Sequence, residues 1–114
     1  MDKEYKGIII EESLEDNRII HDLDIKRVEI SNSENQTGRW HLYTVMVSQE
    51  DIDKLAQTIK QGWYMHFWQG CQVRAIFKGR QFEFDYEDRS TWKSVLEYGH
   101  SLGIAENQLD FPID

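Results

Sequence analysis

The side chains able to do chemistry are few and scattered. Histidines stand at 21, 41, 66 and 100, and Cys71 is the only thiol. His41, His66 and Glu83 would offer two imidazoles and a carboxylate, a set that zinc accepts, if their strands lay side by side. The ordinary reading of each is a structural or surface residue, and His21 and His100 fall where solvent-side helix residues are expected. His66 and Cys71 could face each other across a hairpin as base and nucleophile, but no third group that would orient the base is evident. Glu83 and Asp85 form a carboxylate pair, useful for acid–base work only where a pocket shifts one of them. No glycine-rich phosphate loop, dinucleotide fingerprint, CxxC or HExxH is present, so no cofactor is implied. The densest acidic run, Glu11, Glu12, Glu15, Asp16, Asp22 and Asp24, is either a solvated surface or, if spaced like phosphates, a decoy for a nucleic-acid-binding protein.

These residues belong to a chain of 114, the size of one ordinary domain (1–114) with one real core. The net charge of −8, from 21 acidic and 13 basic residues, argues against direct binding to nucleic acid or to an anionic membrane. A single cysteine allows no intrachain disulfide and fits a reducing compartment. The opening MDKEYKGIII is far short of a signal peptide or a membrane span, and a cytoplasmic location is expected. Asn35-Gln36-Thr37 has the form of a glycosylation sequon, which without export is an accident of a polar loop.

Hydrophobic periodicity divides the chain further. Residues 6–12, 24–30 and 39–47 carry strand patterns, with a polar loop over 31–38. Ser13 and Asp16 have capping-box spacing, so residues 14–23 are a short helix or a tight loop. Ser48 and Asp51 repeat that spacing ahead of Ile52, Leu55, Ala56 and Ile59, one side of an amphipathic helix that Gly62 stops. Strands follow at 63–68, 72–78 and 81–86, then a helix over about 90–102 and a tail alternating Leu109, Phe111 and Ile113 with polar residues. The order β-β-β-α-β-β-β-α predicts an α+β domain, an antiparallel sheet of five to six strands with both helices on one face.

The stretch WYMHFW, residues 63–68, decides what the other face shows. A tight turn at Lys78-Gly79 pairs Phe77 with Arg80, Ala75 with Phe82 and Val73 with Phe84, and sets Arg74 opposite Glu83. That charge pair belongs in water, where it contributes about 0.2–1 kcal/mol. If a three-residue loop Gln69-Gly70-Cys71 precedes this hairpin, Phe67 stands beside Val73, and Tyr64, His66 and Trp68 look outward. A two-residue loop moves every side chain to the other face. Desolvation favours the first register, because it leaves the polar handles in water. The same logic turns Trp40, Leu42, Thr44 and Met46 inward and His41, Tyr43, Val45 and Val47 outward. The expected binding surface is then His41, Tyr43, Tyr64, His66, Trp68 and Arg74, unless the tail, the first segment or a second copy covers it.

Four separated blocks, KGIIIEESLEDNRII, WHLYTV, IFKGRQFEFD and YGHSLGIAENQLDF, resemble a family of small uncharacterised prokaryotic proteins. Members share the ESLED opening, a W-x-L-x-T-V strand and a closing YGxSLGIPExQxDF-like segment, with proline where this chain has Ala105. The resemblance implies a stand-alone intracellular domain and carries no catalytic residue across. The expected function is binding or regulation through the aromatic face, with a protein partner or a second copy. An enzyme or metal-binding protein centred on His41 and His66 and an acidic inhibitor or nucleic-acid mimic are the alternatives.

Overall fold

The computed structural model describes residues 4–31, 39–105, 108–111 and 113. The expected polar loop at 31–38, with Asn35, lies outside them apart from Ser31. Six strands form one antiparallel sheet: β1 (Tyr5–Ile10), β2 (Asp24–Ile30), β3 (His41–Val47), β4 (Met65–Gln69), β5 (Gln72–Phe77) and β6 (Arg80–Asp85). Their spatial order is β2-β3-β1-β4-β5-β6. Because β3 and β4 both pair antiparallel with β1, they run parallel to each other. The helix α1 (Gln49–Thr58) makes the crossover between them, as in a split β-α-β unit. The second helix, α2 (Lys93–Ser101), follows a 3-10 turn at Arg89–Trp92.

The local signals that carry a mechanism are realised. Ser48 accepts the amide of Asp51 at 3.2 Å, and Asp51 accepts that of Ser48 at 3.0 Å, closing the capping box of α1. Ile52, Leu55, Ala56 and Ile59 are buried. Gly79 has φ 71°, and the β5–β6 register is the expected one from Val73↔Phe84 to Phe77↔Arg80. Two 3-10 turns, Glu11–Ser13 and Asn17–Asp22, stand in place of a helix with a Ser13 cap. The Ser13 hydroxyl instead donates to the Ile10 carbonyl, and Asp16 caps the second turn by accepting the Arg18 amide. This segment is tied to the end of α1 through the bridge Leu14↔Ile59 and the bond from Lys60 N–H to the Ser13 carbonyl.

Two expectations are corrected. The helices lie on opposite faces of the sheet. On the first face α1 packs with Ile9, Val45, Val47, Met65, Phe67 and Ile76; on the second, Trp92, Val95, Leu109 and Phe111 pack with Trp68, Val73, Ala75, Phe77 and Phe84. The β4–β5 connection is the two-residue turn Gly70-Cys71, with Gly70 at φ 60°, so Phe67 pairs with Arg74 and Trp68 with Val73. The tight primed-type hairpin with a positive-φ glycine suits the strand twist. Desolvation does not favour the other register, because the second face is itself a core, where Tyr64 finds an acceptor in the Gln108 carbonyl. In β3, by the same parity, Tyr43, Val45 and Val47 turn toward α1, and Leu42, Thr44 and Met46 line the second face. WYMHFW thus enters a strand buried on both sides, Met65 and Phe67 below and His66 and Trp68 above.

Candidate binding groove

α2 and the tail cover only the β4–β6 half of the second face. Over β1 and β3 no described residue covers the face, and two clefts there share Ile8 in their walls. The first, about 300 Å³, lies among Ile8, Ile10, Trp40, Trp63, Tyr64 and His66, with Ile104 on its rim. Trp40 and Trp63 close its end with ring centroids 5.3 Å apart, edge to face. The second, about 590 Å³, runs over Lys6, Thr44, Met46 and Trp68 toward Lys26 and Arg27, with Ile113 at its side. β1 supplies Ile10, Ile8 and Lys6 to one surface because alternate strand residues share a face. At the usual rise, Ile10 to Lys6 spans about 13 Å, the reach of four extended residues.

The two ends differ in character. Aromatic and aliphatic side chains form the first. The Tyr64 hydroxyl, pushed up to about 12 by burial and by the Asp110 charge, stays protonated and donates to the Gln108 carbonyl, fixing the tail along the rim. His66 stacks on Trp68 at 5.2 Å and meets the edge of Phe111 at 5.8 Å, so both serve as walls. Among the described residues the second end gathers Lys6, Lys26 and Arg27 beside Glu29, in a chain of net charge −8. Lys26–Asp24 and Arg27–Glu29 pair at 3.2 Å each. Such exposed pairs hold their partners weakly and can exchange them for a ligand's carboxylate.

The sheet divides the six expected site residues. Tyr64, His66 and Trp68 border the groove; His41, Tyr43 and Arg74 lie on the first face. There Glu12 accepts both the His41 amide, at 2.9 Å, and its Nδ1–H, at 2.7 Å, while Tyr43 donates to Glu11 at 2.7 Å. The bond to Glu12 raises His41 above its ordinary value against partial burial. Bonds from Tyr43 and Asn17 hold Glu11 below the usual carboxylate range. Arg74 pairs with Glu83 and lies 5.7 Å over the Tyr5 ring.

Separation by the sheet also disperses the chemistry sought in the sequence. His66 is on the opposite face from His41 and Glu83, and four strand spacings, about 19 Å, part the β3 and β6 strands that carry the latter two. No group of three possible metal ligands occurs among the described residues. Cys71 donates to Glu87 at 2.9 Å, and that bond, burial and the nearby acids push its thiol up, away from a nucleophile's needs. In the acidic run, Glu11 and Glu12 bind Tyr43 and His41, Glu15 pairs with Lys78, and the Arg18 guanidinium holds Asp16 down at about 2. No helix among the described residues is long and apolar enough to cross a membrane.

No protein-family profile, curated protein or solved structure matches this chain. The groove residues that the sequence did not single out are Ile8, Ile10, Trp40, Met46, Lys26 and Arg27. Their signal was present in the alternation Lys6-Ile8-Ile10, but it acquires meaning only once β1 is known to be central and half of its second face open.

Proposed function

We propose that the protein is a binding domain whose groove takes an extended, mainly apolar segment of a partner protein, with an acidic residue at its end over Lys26 and Arg27. The observation that carries this reading is the pair of clefts that share Ile8, which sets an aromatic pocket and a basic shelf side by side along one strand. The two clefts follow one another along β1 from Ile10 to Lys6, about 13 Å, which suits an extended chain segment better than a compact metabolite. Apolar side chains would fill the Trp40–Trp63 end, and a carboxylate would replace Glu29 beside Arg27.

A display selection from a random peptide library tests it, with wild type as bait and Ile8→Arg as the counter-bait. Ile8 is partly exposed on the open face, so the variant should fold. The expected result is a consensus of aromatic or aliphatic residues followed within a few positions by Asp or Glu. Peptides binding wild type and Ile8→Arg equally, or no consensus at all, would sink the proposal.

A further inference from the structure

Four large hydrophobic residues are exposed among the described residues: Ile25, Val28, Ile30 and Trp40. Trp40 belongs to the groove. The other three lie together on β2, on the first face, opposite Val45, Tyr43 and His41, where α1 does not reach. Val28 and Ile30 are 53% and 52% exposed. β2 is also an edge of the sheet, so among the described residues its outer backbone groups have no strand beyond them. The opposite edge, β6, exposes no large hydrophobic residue, and Arg80 is folded back over Phe82 and Tyr98. An edge left apolar on one side only invites a strand.

We infer that β2 is the contact of a symmetric homodimer, in which its free edge pairs antiparallel with the same edge of a second copy. The backbone fixes the register. The Ser31 amide donates inward to the Trp40 carbonyl at 3.0 Å. By antiparallel alternation Glu29 and Arg27 also point their backbone groups toward β3, and Ile30 and Val28 point theirs outward. A two-fold axis at Val28 therefore makes a reciprocal hydrogen-bonded pair of Val28 with its copy. It sets Arg27 opposite Glu29 of the second copy, twice. Axes at Arg27 or Glu29 would oppose like charges at their centre, which destabilises a pair. The sequence around Val28 is self-complementary in this one register.

The axis stands perpendicular to the sheet, so Val28 and Ile30 of both copies form one apolar strip on the first face. Both grooves open on the second, with Arg27 and Glu29 of each copy along their shared wall. The bulge between Ile25 and Arg27 limits flat pairing to Lys26–Ile30. One β2 per chain makes the assembly close at two.

Sedimentation equilibrium from low micromolar to millimolar concentration tests the inference, with circular dichroism confirming the fold of each variant. Wild type should dimerise. Arg27→Glu and Glu29→Arg should each weaken the dimer about tenfold, by turning two attractive cross-strand pairs into repulsive ones. An equimolar mixture of the two variants should regain affinity as a heterodimer, and so should the double swap. Val28→Lys should give a monomer. A wild-type monomer throughout would overturn the homodimer and leave the edge to a strand of another protein. A dimer indifferent to these changes, or a mixture no tighter than its components, would overturn the β2 register.

Discussion

His41 and Glu12 show how far a single pair can be followed from contact to consequence. Burial pushes Glu12 up, but the bonds from the His41 ring and backbone outweigh it, and the carboxyl ends below its ordinary 4.5. The same ring bond raises His41 above 6.5. A folded-state pKa above the unfolded one means stability fully present below pH 6.5 and lost as pH rises through the raised value. The lowered Glu12 gives stability present above pH 4.5 and lost as pH falls. The pair therefore contributes most between those limits. His41→Gln should flatten the decline of the urea midpoint as pH rises above 6.5, with little change in its acid limb beyond that owed to Glu12. An unchanged slope above pH 6.5 would mean that the pair does not persist in solution. On the second face, Tyr64→Phe removes the hydroxyl that holds the tail at Gln108, at a cost of about 1 kcal/mol in the same assay. Loss of nothing would show that the tail is held by apolar contact alone.

Among the elements, the β5–β6 hairpin and β4 differ in how legible they were, for one physical reason. In the hairpin, apolar residues alternate with Arg74, Gln81 and Glu83, so period two separates the faces, and Gly79 fixes the turn. α1 was equally plain, because its capping box and apolar stripe agree. In β4 both faces are buried, and a strand of that kind reads as a continuous apolar run in which parity carries no information. The element order places both helices on one face, which leaves that run to be read as half exposed and carries Tyr64, His66 and Trp68 onto a surface with His41 and Tyr43. Gly7 records the true packing of β4. A Cβ there would fall 2.1 Å from the Phe67 ring and 2.7 Å from the His66 carbonyl oxygen. Backbone would have to move, so Gly7→Ala should cost about 1–3 kcal/mol. At Gly99 the obstacle is the Leu109 side chain, at 2.8 Å, which can turn aside, and the helix gains propensity. Gly99→Ala should therefore cost less than Gly7→Ala. The reverse order of urea midpoints would show that β1 and β4 can part more easily than α2 and the tail.

For the whole molecule, the consequence of one sheet with a core on each side is that β4 couples them and the tail completes the second. Phe111 is fully buried there, its ring 5.3 Å from Tyr64, 5.8 Å from His66, 5.1 Å from Phe84 and 5.5 Å from Trp92. It therefore links the tail to β4, β6 and the turn before α2, and it backs two groove walls. It does so at φ 44°, a left-handed conformation that costs a side-chain-bearing residue about 1–2 kcal/mol. Burial of the ring outweighs that strain, since emptying such a site costs about 3–5 kcal/mol. The two terms separate by substitution. Phe111→Ala loses the ring and keeps the strain, whereas Phe111→Gly loses the ring and relieves it. Both should unfold at lower urea than wild type, and the glycine variant should be no less stable than the alanine one, against the usual order. Both should also loosen Tyr64 and His66, so peptides selected on the groove should bind them more weakly than wild type while the proteins remain folded. A glycine variant clearly below the alanine one would mean that Phe111 does not hold a positive φ in solution. Unchanged peptide binding in both would mean that the groove is shaped by β1 and β3 alone, with the tail only a cover for the second core.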